Sequence, residues 1–142
     1  MTPPPRRRAG RPAGRLWVAA VVLAAAGCGG PGPRQDAAAA AGTAFEAAVA
    51  AGDHVRACGL LAPETRLQLE QGEQETCPAA LAAQELPTAD GVDGVEAYGR
   101  QAMVRTGGDT LFLSLFTAGW KVVAAGCTPR PDQPYDCLIK GA

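Results

Sequence analysis

Histidine is nearly missing from this chain of 142 residues: His54 is the only one. The five cysteines include no Cys-x-x-Cys pair. Zinc sites need Cys and His ligands at short spacings, so no metal site is expected. Nothing has the ligand pattern of a calcium loop. Long apolar runs are lacking too. Leu16 to Ala26 spans 11 residues, against the roughly 20 that a membrane-crossing helix needs. Internal repeats are absent, and no paired carboxylates suited to acid–base chemistry stand out. Lysine is scarce, with Lys121 and Lys140 beside eleven arginines. With abundant Ala, Gly and Pro this indicates a GC-rich genome and says nothing of mechanism.

The ends of the short apolar run are informative. Arg6, Arg7, Arg8, Arg11 and Arg15 precede it, and Leu23-Ala24-Ala25-Ala26-Gly27-Cys28 closes it. A basic segment, a short apolar segment and small residues before a cleavage point make a secretory signal. A cysteine directly after the small residues makes it a lipoprotein signal. Residues 1–27 are therefore expected to be removed. Cys28 is then expected to carry a diacylglyceryl group through its thiol. An ordinary secretory signal is the competing reading, since Ala25 stands where leucine is usual. Lipidation places the mature protein on the extracytoplasmic face of the cell membrane, with acyl chains as its link to the bilayer.

All 14 acidic residues follow Cys28, but five of the 13 basic ones precede it, so the mature part carries a net charge of −6. Nucleic-acid binding calls for a basic face, so no nucleic-acid partner is expected. Charge-driven attachment to anionic lipid is not expected either. The 115 residues from Cys28 onward suit one domain with a modest core. Four of them are cysteines: Cys58, Cys77, Cys127 and Cys137. An even number outside the cytoplasm predicts disulfides. Of the three pairings, the local one is expected, Cys58 with Cys77 and Cys127 with Cys137.

Residues 28–36, rich in Gly and Pro, read as a tether reaching at most about 28 Å beyond Cys28. The domain is expected over 37–142. Asp36 can cap a helix from Ala37 to Ala51, with Ala41, Phe45, Ala48 and Val49 as its buried stripe. Asp53 can cap a short second helix, Pro63 can open a third, and Pro78 a fourth that ends near Leu86. Beyond Pro87 the pattern alternates. Val92–Tyr98, Ala102–Thr106, Thr110–Phe116, Trp120–Cys127 and Tyr135–Lys140 read as strands with short breaks, hence antiparallel hairpins. Helices followed by strands predict an α+β domain, with the helices packed on one face of a curved antiparallel sheet.

Ala44-Phe45, Ala50-Ala51-Gly52-Asp53, Ala57-Cys58, Leu61-Ala62-Pro63, Thr76-Cys77 and Trp120-Lys121-Val122 together resemble small actinobacterial lipoproteins of the NTF2-like superfamily. The resemblance covers most of the chain after Ala37. It implies a cone-shaped domain with a pocket between helices and sheet. It implies no one activity, because that fold serves enzymes, ligand binders and interaction modules.

Enzymes with that cone use acids or tyrosines inside it, and Tyr98, Arg105 and Asp109 are the candidates here. Asp109 lies in Gly107-Gly108-Asp109-Thr110, a turn composition that predicts exposure. His54 follows a capping aspartate and reads as an exposed first-turn residue. Glu64, Glu70, Glu73, Glu75 and Glu85 read as a solvated face. In Thr110–Phe116, Phe112 and Phe116 share one face, and Leu111, Leu113 and Leu115 the other. Tyr98, Phe112 and Phe116 are the expected pocket lining. The leucine row is then either a contact surface or buried under the C-terminal segment. The expected function is non-catalytic binding, with no cofactor. The partner through the sheet face is expected to be a second copy or another envelope protein. A small apolar-ligand binder or a cone-pocket enzyme of isomerase or cyclase type is the alternative.

Overall fold

The computed structural model describes residues 32–141, together with Thr2. The expected signal segment over 1–27 (Thr2 apart) and the expected lipidation position, Cys28, lie outside the described residues. Among the described residues four helices precede five strands: α1 Pro33–Ala50, α2 His54–Leu60, α3 Pro63–Glu73, α4 Cys77–Ala83, β1 Val92–Tyr98, β2 Gln101–Thr106, β3 Thr110–Phe116, β4 Gly119–Arg130 and β5 Gln133–Lys140. Among the described residues no helix is long and apolar enough to cross a membrane.

Helix α1 begins earlier than its aspartate predicts. Pro33 occupies its first position, where a missing N–H costs nothing. Gln35 Oε1 accepts the Gly32 N–H at 2.9 Å. Asp36 thus falls inside the first turn, where its charge suits the helix dipole. Residues 33–36, expected to belong to the tether, are thus helical. Gly42 faces the sheet so closely that a Cβ there would lie 3.3 Å from Leu111 and Val104 side-chain carbons. A larger residue would push α1 off β2 and β3. Helix α2 is capped as its sequence predicts, with Asp53 Oδ1 accepting the Arg56 N–H at 3.1 Å.

The strands form one open antiparallel sheet in the order β1-β2-β3-β4-β5. The last hairpin is longer than expected, because pairing continues from Cys127–Cys137 to Arg130–Gln133. Pro129 and Pro134 are tolerated there because β4 has run past β3 and pairs on one side only. Asp132 takes the left-handed conformation at the turn.

Both local disulfides are present, Cys58–Cys77 between α2 and the start of α4, and Cys127–Cys137 across the last hairpin. Each closes a short loop, and in the chain-entropy model is worth on the order of 3 kcal/mol. That is a large share of a small domain's stability.

The leucine row is not a contact surface. Leu111 and Leu113 are completely buried, and Leu115 packs against the same core. Leu111 pairs with Val104, and Leu113 lies between Ala102 and Val122, all buried. Phe45 of α1 and Leu81 of α4 fill the space above them. The helices therefore cover the leucine face. Phe112 and Phe116 point the other way, toward the uncovered face of the sheet. The strand's alternation shows which residues share a face, but not which face is covered. The leucines are the smaller and more compact set, and they fit beneath a helix layer built largely of alanine.

Candidate functional site

The pocket expected from Tyr98, Phe112 and Phe116 is not enclosed by the helices. Tyr98 is 74% exposed. It lines a shallow cleft of about 190 Å³ on the outer sheet face with Glu96, Met103 and Phe112. Phe116 lies apart from it, beside Ser114 and Glu64 in a separate depression. Phe112 meets Tyr135 edge to face, with ring centroids 5.1 Å apart. Arg105, also on this face, donates to Glu96 Oε1 at 2.7 Å. The space between helices and sheet is occupied by Phe45, Leu81, Leu111, Leu113, Val104 and Val122. His54 stands half-buried at the first position of α2, and no metal-holding cluster occurs among the described residues.

The polar centre lies elsewhere, where the β2–β3 turn meets β4 and α1. Asp109 is 7% exposed, not solvated as its turn composition predicts. Its Oδ1 accepts the backbone N–H groups of Thr110 at 2.6 Å and Cys127 at 2.9 Å. Its Oδ2 accepts the N–H of Gly126 at 2.9 Å. The turn is held from within, since the Thr106 hydroxyl donates to the Asp109 carbonyl and accepts the Asp109 N–H, both at 2.9 Å. Gly126 allows this arrangement. Its φ is +65°, and a Cβ would lie 2.8 Å from Leu138. The bend aims two successive N–H groups at one carboxylate, a small anion-binding nest. Gly108 packs as tightly, because a Cβ there would lie 2.1 Å from the Thr88 carbonyl oxygen.

Glu46 of α1 comes down on Asp109 from the helix side. It is 9% exposed, and its Oε1 is sealed from solvent with no hydrogen-bond partner. Burial, then the Asp109 charge, then a hydrogen bond to Asp109 raise the Glu46 carboxyl from the ordinary 4.5 to about 8. At neutral pH Glu46 therefore holds its proton beside the Asp109 carboxylate. A narrow cleft of about 130 Å³, walled by Thr43, Ala47, Val92 and Thr106, opens beside it.

Sequence reading missed this pair. Asp109 carries the marks of an exposed turn residue, and only the bend at Gly126, distant in sequence, buries it. Glu46 offered a better signal. It directly follows the buried Phe45 and is the one acid between Asp36 and Asp53.

A measurable pH dependence follows. Unfolded, Glu46 loses its proton near 4.5, but folded only near 8. Between those values the folded state binds more protons, so stability falls as pH rises through this window. The contribution is fully present below about 4.5 and gone above about 8. The thermal midpoint is expected to drop by at least about 4 °C from pH 5 to pH 8. Glu46→Gln keeps a donor toward Asp109 without a titrating proton, and is expected to flatten the curve. Thermal melts of both proteins across this range check it.

Comparison with protein-family models, curated proteins and solved structures found no match to this chain.

Proposed function

We propose that this protein is an extracytoplasmic lipoprotein, held to the cell membrane by a diacylglyceryl group on Cys28, whose NTF2-like domain acts by binding and not by catalysis. One observation carries the reading. The four cysteines after Cys28 are taken up by two bridges, leaving Cys28 as the one cysteine outside them. Structural disulfides belong to an oxidising compartment. A single cysteine directly after a signal segment has a role there as a lipid carrier. The leucine row being core, the surface open to a second copy or another envelope protein is the uncovered sheet face around Met103 and Phe112. Intact mass of the membrane-extracted protein is expected to show cleavage before Cys28 and a diacylglyceryl adduct. Cys28→Ala is expected to leave the signal uncleaved. Soluble mature protein cut at another site overturns the reading.

The alternative, a small-ligand site or an enzyme, has one observation in its favour. Glu46 keeps a proton at neutral pH beside an apolar-walled cleft, as a general acid must. Against a base role for Asp109, both of its oxygens already accept backbone N–H groups. A fragment screen by NMR distinguishes the two. Hits that shift Thr43 and Val92 favour a ligand site, and hits confined to Met103 and Phe112 favour the sheet face.

A further inference from the structure

We infer that one end of the domain, formed by the start of α1 and the β1–β2 and β3–β4 turns, seats on the headgroup layer of the bilayer that holds the Cys28 lipid. This rests on the lipidation proposed above. Three contacts bring these segments together. The Arg34 guanidinium donates to the Gly99 carbonyl, the Arg100 guanidinium donates to the Leu115 carbonyl, and the Leu115 N–H donates to the Arg100 carbonyl at 2.8 Å. Gln35 adds a longer bond to the Val95 carbonyl at 3.4 Å. The helix start, the β1–β2 turn and the end of β3 thus occupy one pole.

Chain length fixes how far that pole can stand from the membrane. Three residues lie between Cys28 and Gly32, so four peptide steps join them. Fully extended these steps span no more than about 14 Å, roughly twice the depth of one headgroup layer, so the pole stays close to the membrane surface. The pole has the composition of an interfacial surface. Tyr98 is 74% exposed and Phe116 36% exposed, large values for aromatic rings with no partner over them. Aromatic rings of this kind favour the headgroup level, where an apolar body and a polar tip are both accommodated. Arg34, Arg100 and Asp36 are exposed on the same segments, with exposed Glu64 beside Phe116 and half-buried Glu96 beside Tyr98, so the aromatic rings and not a net charge mark this pole.

The opposite pole is different. It carries the β2–β3 and β4–β5 turns, with Asp90 and Asp132 exposed alongside Arg130, and the Glu46–Asp109 pair buried beneath the surface. Weak surface contacts are enough to orient the domain, because the anchor already confines it at high effective concentration. The seated pole points the acidic pole and the Glu46 cleft away from the membrane.

The test uses the full mature lipoprotein in phosphatidylcholine–phosphatidylglycerol vesicles whose acyl chains carry bromine, a quencher of tryptophan emission. Tyr98→Trp and Pro131→Trp place reporters at the two poles, both at exposed positions, and the parent protein supplies the signal of buried Trp120. Emission from Tyr98→Trp is expected to be quenched about twofold more than that from Pro131→Trp, as an interfacial aromatic requires. Equal quenching in protein whose mass shows the Cys28 adduct overturns the seating and leaves lipidation standing. A mass without the adduct overturns both.

Discussion

Asp109→Ala is expected to cost the domain about 3–6 kcal/mol, enough to unfold much of it at physiological temperature. The carboxylate satisfies three backbone N–H groups, of Thr110, Gly126 and Cys127. Alanine leaves all three buried without an acceptor and removes the carboxylate beside Glu46. Each buried orphan donor costs about 1–3 kcal/mol, and water can reach the enlarged gap to recover only part of that. Asp109→Asn is expected to fall between alanine and the parent. One amide oxygen can still serve two donors, but the NH₂ group then faces the third. Urea denaturation followed by circular dichroism gives the ordering directly. A loss below about 1 kcal/mol for alanine shows that the nest is replaceable by solvent.

Leu113→Lys is expected to leave the domain unfolded, not merely unable to associate. Leu113 is completely buried in the third strand, between Ala102 and Val122. An ammonium there has no carboxylate partner and must either lose its proton or force the strand apart. Placing an unpaired charge in a core is among the few single changes that exceed about 4 kcal/mol. Phe112→Lys, one residue away on the half-buried outer face, is the matched control and is expected to fold. Far-ultraviolet circular dichroism and size exclusion separate the outcomes. A folded Leu113→Lys protein that has only changed its oligomeric state restores the leucine row as an interface.

These two residues also mark where the sequence was legible and where it was not. The order of elements, the α2 cap at Asp53, the helix start at Pro63 and both disulfides follow from local chemistry, and local chemistry is written in neighbouring residues. The α+β class follows from the change of apolar period after Pro87. The faces of β3 were legible as a pair of rows, Leu111 to Leu115 against Phe112 and Phe116. Their assignment was not legible, because it depends on which side the helices occupy, and handedness of packing has no local signature. Asp109 was misread for a related reason. Its turn composition is that of an exposed loop, and its burial depends on a glycine bend 17 residues later. The polar centre was therefore hidden, since each half looks ordinary alone.

The two bridges join cysteines that are consecutive in the chain, 19 and 10 residues apart. That order has a consequence for the export proposed above, if the chain crosses the membrane unfolded and in sequence order. Cys58 and Cys77 would then emerge ahead of Cys127, with Cys28 taken up by its lipid, and would be oxidised together before Cys127 is in reach. Cys127 and Cys137 then have only each other. Oxidation in order of arrival thus yields the native pairing, and no bridge has to be broken and remade. On that route an oxidant alone would suffice for the native pairing.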